Sequence, residues 1–164
     1  MAESHVALAE VFLQPGEVFL AREPTIISTI LGSCVGITFR CARLDLGALC
    51  HSILPRFPGA IAGNAGLAAG YRYVDFCIRD LAAQFDSLGA RRSEVEVKVF
   101  GGADVLFVDI ANTPPTVGRQ NSEEAIRTLA EEGFRVVASS MGDVFGRKIR
   151  FDTGNGEVRL VRLI

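Results

Sequence analysis

Residues 34–54 read CVGITFRCARLDLGALCHSIL. Two apolar runs, CVGITFR (34–40) and GALCHSIL (47–54), flank the polar stretch CARLD (41–45). Apolar runs of that length about a polar turn are the pattern of paired strands. If the two runs form an antiparallel hairpin, residue numbers across it sum to roughly 85 or 86, and Cys34 faces His51 or Ser52.

The strand pattern continues on both sides. VALAEVFL (6–13) and EVFLA (17–21) are short candidate strands split by the Pro15-Gly16 turn signal. TIISTIL (25–31) is a β-branched run, VEVKVF (95–100) alternates, and RVVASSM (135–141) follows. RKIRFD (147–152) and EVRLVRL (157–163) are joined by TGNG, a hairpin turn. Helical periodicity occurs twice. From Tyr71, the residues Val74, Cys77, Ile78, Leu81, Phe85 and Leu88 share one face, and Gly89 ends the pattern. A second helix is expected from Asn121, as N-cap with Glu124 three residues on, to Gly133. Residues 55–70, rich in Gly, Ala and Pro, read as a loop. The sum is one α+β domain over 1–164, of mostly antiparallel sheets, sandwich-like, with two main helices.

Composition narrows the function classes. The 164 residues carry a net charge of −2, so no basic excess exists to hold a phosphate backbone, and nucleic acid is not an expected partner. No apolar run reaches the length of a membrane span, and the N-terminus lacks the cationic start of a signal peptide. The expected compartment is the cytoplasm, without membrane insertion, where disulfides are not expected. The four cysteines, at 34, 41, 50 and 77, form no C-x-x-C pair. Cys77 reads as helix packing, Cys50 as core on the strand face opposite His51, and Cys41 as an exposed turn residue. No metal site or cofactor is expected.

Cys34 follows a Gly-Ser pair between two strands. An imidazole across the hairpin can take the thiol proton, hold a thiolate as an ion pair, and return the proton to a departing amine. Ser28 and Thr29, on the preceding strand, are the hydroxyl candidates for orienting that ring. The backbone N–H groups of Gly32 and Ser33 are candidates for meeting an oxyanion. The glycines at 101, 102 and 118 read as simple turns.

LGSCVGITF (31–39), then LGALCHSILP (46–55) with its histidine 17 positions after the cysteine, resembles CheD, the chemotaxis family that deamidates glutamine side chains on chemoreceptors. FGGADVLF (100–107), VGRQN (117–121) and FGRKIRFDTGNGEVRL (145–160) resemble further family segments, in family order. The resemblance implies a protein-glutamine glutaminase with Cys34 as nucleophile and His51 as general base and acid. Its third residue is a threonine shortly before the cysteine, which leaves Thr29 and Ser28 both open. The resemblance further implies methyl-accepting chemoreceptors as protein substrate and a CheC-type phosphatase as partner. A γ-glutamyl methyl ester presents a similar carbonyl, so the same pair could also hydrolyse such esters. An alternative role is that of a non-catalytic adaptor activating CheC. The fold is expected to resemble the catalytic domain of the cytotoxic necrotizing factor toxins.

Overall fold

A computed structural model describes residues 7–59, 63–105 and 115–164, with residues 63–65 described by backbone alone. The first residue of the 6–13 run, the last two of the 100–107 segment, His5 and part of the 55–70 stretch lie outside the described residues.

In chain order the elements are β1 (Ala9–Phe12), β2 (Val18–Ala21), β3 (Thr25–Leu31), β4 (Val35–Cys41), β5 (Leu46–Ser52), α1 (Gly63–Gly70), α2 (Val74–Ser87), β6 (Glu96–Gly101), α3 (Val117–Glu131), β7 (Val136–Met141), β8 (Gly146–Asp152) and β9 (Val158–Leu163). Two sheets form, with strand orders β1-β3-β8-β9 and β2-β5-β4-β6-β7. Pairings are antiparallel except β1 with β3 and β6 with β7.

The period of two along the central strands makes three layers. On β4, Val35, Ile37, Phe39 and Cys41 point toward the helices, as do Leu46, Ala48 and Cys50 on β5. They meet Val74, Cys77, Ile78, Leu81 and Phe85 of α2 and Ala125 and Leu129 of α3. Phe39 anchors this layer, with its ring 5.4 Å from that of Phe134 and 6.1 Å from that of Phe85. The alternate side of the same sheet faces β3 and β8. There Leu49 and Phe100 pack with Leu13, Ile27, Leu31, Ile149 and Phe151. Fully burying a side chain of this size contributes about 1.5–3 kcal/mol, so both layers add substantially. The α+β expectation holds.

Four local expectations are corrected. The β4–β5 hairpin pairs Cys41 with Leu46, Gly36 with His51 and Val35 with Ser52. The register is therefore one or two residues beyond the expected one. The cause is the connection: Cys41 stays in the strand, Ala42–Leu44 form a short 3-10 turn, and Asp45 closes it with φ of 53°. Cys41 is consequently buried under the helices rather than exposed in a turn. Within the expected 55–70 loop, Gly63–Gly70 is helical. Finally, α3 begins at Val117, and its N-cap is Thr116, whose Oγ1 accepts from the N–H of Arg119. Asn121 lies a turn inside that helix, where its side chain has a different task.

Candidate active site

The site sits at one end of the seam between the two sheets. His51 is the penultimate residue of β5 and is 1% exposed. Its register partner across the hairpin is Gly36, so no side chain opposes the imidazole. The inter-sheet space beside Gly36 is tight: a Cβ there would stand 2.9 Å from Leu31 Cδ1.

From the other sheet comes Thr29, fully buried on β3. Its Oγ1 lies 2.7 Å from His51 Nδ1 and 2.7 Å from the carbonyl oxygen of Leu13. A hydroxyl has one hydrogen, and a carbonyl can only accept. Thr29 therefore donates to Leu13 and accepts from the Nδ1–H of His51. That assigns the proton to Nδ1 and leaves Nε2 as the basic nitrogen. Nε2 is buried and meets no hydrogen-bond partner among the described residues. Ser28 lies on the outward face of β3 together with exposed Ile30, one residue out of phase with Thr29. The structure brings Thr29 and His51 together and does not bring Ser28 to them.

Cys34 stands in the short loop between β3 and β4, half-buried, with its side chain against the inter-sheet cluster on the His51 side. Continuing the alternation of β4 backward from Gly36 gives the same placement, diagonal to His51. Burial pushes the Cys34 thiol above its ordinary value. Burial likewise lowers the His51 pKa from 6.5 to about 4, against a small opposing pull from Glu17. Both shifts run in the direction that favours an uncharged thiol and an uncharged imidazole.

The loop carrying Cys34 is held from one side. The Gly32 carbonyl accepts from the Ala103 N–H at 3.0 Å, and the Cys34 carbonyl accepts from the Gly102 N–H at 2.8 Å. The Ser33 carbonyl accepts from Asn121 Nδ2 at 3.0 Å. Among the described residues, no backbone carbonyl outside the strands meets the N–H of Gly32, Ser33 or Cys34, and the Cys34 N–H lies toward its own sulfur. The glycines expected to be simple turns make this clamp possible. Gly101 has φ of 100°, and a Cβ on it would fall 2.2 Å from the Cys34 carbonyl oxygen. A Cβ on Gly118 would fall 2.3 Å from the Ala103 carbonyl oxygen, so α3 docks directly on the 102–103 backbone. Asn121 is the residue whose task the local sequence concealed. Its Asn-x-x-Glu spacing resembles a helix start, while its partners are 88 and 68 positions away.

Among the described residues, seven strand pairings and a three-layer build define an α+β sandwich in which a threonine meets a histidine in the seam and a cysteine packs against the same inter-sheet cluster. Among solved structures, the hypothetical protein YfiH of Bacillus licheniformis matches with a TM-score of 0.52 at 12% identity, over 77% of this chain and 51% of that one. The present chain therefore spans about half the length of that protein, and the likeness is one of fold. A family model described as CheD chemotactic sensory transduction matches residues 54–162. The sequence is 38% identical over 163 residues to the "Probable chemoreceptor glutamine deamidase CheD 2" of Geobacter sulfurreducens, covering 99% of this chain and 96% of that protein. It is 39% identical over 152 residues to the "Probable chemoreceptor glutamine deamidase CheD" of Thermococcus kodakarensis, covering 92% and 91%. The chain belongs to the CheD family.

Proposed function

We propose that this protein deamidates glutamine side chains of chemoreceptors to glutamate, with release of ammonia, through a thioester on Cys34. The observation that supports it most is the Thr29–His51 contact, which leaves Nε2 free of its proton at the seam beside a half-exposed thiol.

The resting pair is neutral, so proton transfer accompanies attack. As the Cys34 sulfur bonds to the substrate carbonyl carbon, its proton passes to His51 Nε2 and the carbonyl electrons move onto oxygen. The N–H groups of the Gly32–Cys34 loop meet that oxyanion. The imidazolium so formed is supported by Thr29 at Nδ1. It protonates the amide nitrogen, the C–N bond breaks, and ammonia leaves. Water then gives a proton to Nε2 and attacks the thioester; the C–S bond breaks, and the sulfur recovers its proton. A γ-glutamyl methyl ester presents the same carbonyl to the same thiol, and we include its hydrolysis in the proposal. The family names favour chemoreceptor substrates and thereby a cytoplasmic site of action. A CheC-type phosphatase is proposed as partner on the sequence resemblance alone, and co-purification tests it.

Incubating a receptor signalling fragment with wild type and with Cys34→Ala, followed by mass spectrometry, tests the reaction. Amide-to-acid conversion at receptor glutamines is expected with wild type only. Equal conversion by the variant excludes the mechanism, and an adaptor role would leave both inert.

A further inference from the structure

We propose that Asn121 is a positioning residue that orients the Ser33–Cys34 peptide so that the Cys34 N–H faces the reacting carbonyl. The inference rests on the thioester reading above. The side chain is completely buried on α3. Its Nδ2 donates to two backbone carbonyls, Ser33 at 3.0 Å and Ile53 at 2.9 Å. Two carbonyl partners identify that end of the amide as the nitrogen. Its Oδ1 meets no partner among the described residues, so the polar work of the side chain is those two donations.

A trans peptide points its C=O and its N–H in opposite directions. Fixing the Ser33 carbonyl toward α3 therefore fixes the Cys34 N–H away from α3. The flanking carbonyls are held in the same manner: Gly32 by the Ala103 N–H, and Cys34 by the Gly102 N–H. Those two donors are backbone groups that the fold supplies regardless of side chain. The middle peptide alone depends on a side chain, and its N–H belongs to the nucleophile itself. Without Asn121 that peptide is free to rotate, carrying the donor out of place. The second donation ties the loop to Ile53, two residues beyond His51, so one amide sets the nucleophile loop against the base-bearing strand.

Three variants separate positioning from mere support: Asn121→Ala, Asn121→Asp, which keeps the shape without the donor, and Asn121→Ser. Each is read by circular dichroism, by iodoacetamide alkylation of Cys34, by p-nitrophenyl acetate acylation of Cys34, and by deamidation of the receptor fragment. Alkylation displaces iodide and forms no oxyanion, whereas acylation and deamidation do. Expected are folded variants that alkylate at the wild-type rate, with acylation and kcat for deamidation reduced about 100-fold and KM unchanged. Acylation within about threefold of wild type in folded Asn121→Ala, below what loss of an oriented donor costs, overturns the inference. So does alkylation that falls in step with acylation, which marks a structural role, and so does a wild type that p-nitrophenyl acetate does not acylate at Cys34. If all three variants fail to fold, the residue is a structural support and the inference also falls. A wild type that acylates at Cys34 but leaves receptor glutamines intact refutes the deamidase reading, while the variant series still decides the role of Asn121.

Discussion

The Thr29 hydroxyl stands 2.7 Å from both His51 Nδ1 and the Leu13 carbonyl, so one β3 side chain decides which imidazole nitrogen is basic. Thr29→Val keeps the shape and loses both contacts. It leaves a buried N–H and a buried carbonyl without partners, and a stability loss of about 2–4 kcal/mol is expected in urea unfolding. The deamidation rate is expected to fall about 100-fold. Thr29→Ser should stay close to wild type in both measurements. Ser28→Ala should match wild type as well, since that side chain points to the other side of the sheet.

Stability should depend on pH through His51. The ring is neutral when folded, with its pKa lowered from 6.5 to about 4. Below pH 6.5 the unfolded chain takes up a proton that the folded chain refuses. Stability present above 6.5 is therefore lost as pH falls toward 4, by up to about 3 kcal/mol. Urea midpoints measured from pH 7.5 downward should show this decline. In His51→Gln the decline should be smaller, and an unchanged decline would assign it to other groups.

The Cys34 thiol should react as a neutral, half-buried group. Its alkylation by iodoacetamide should rise steeply with pH, with a midpoint above that of an ordinary cysteine. A plateau of fast alkylation reaching down to pH 5 would instead reveal a standing thiolate–imidazolium pair.

Gly101 should not accept a side chain. Its φ of 100° and the 2.2 Å approach to the Cys34 carbonyl combine backbone strain with a clash. Gly101→Ala is expected to cost about 2–5 kcal/mol in thermal or urea unfolding and to suppress activity. Gly59 is exposed, and among the described residues nothing lies within 4 Å of its absent Cβ. Gly59→Ala should change stability by less than about 0.5 kcal/mol.

Where a feature is written in adjacent residues, the sequence was readable. The β3 run 25–31 is β-branched, preceded by Pro24 and followed by Gly32, and its observed bounds coincide with those expected. The apolar face of α2 and the TGNG turn were equally plain, because each depends on spacing within one element. Cys34 and His51 were legible through a short hairpin even with the register displaced. Three features escaped local reading. Asn121 satisfies a capping pattern on paper but bonds to residues 33 and 53, which no window contains. Thr29 and Ser28 are adjacent, and only the packing of β3 against β5 says which one meets the ring. The acid–base state of the site follows from burial, which depends on the two sheets packing together.

The strand that carries His51 is covered on both sides along its whole length. An imidazole rooted in such a post cannot travel to meet its target. The burden of approach falls on the incoming chain: a glutamine set in a receptor helix has to extend its amide to the end of the seam, and residues whose neighbours hold that side chain flat should be poor targets, however exposed they are.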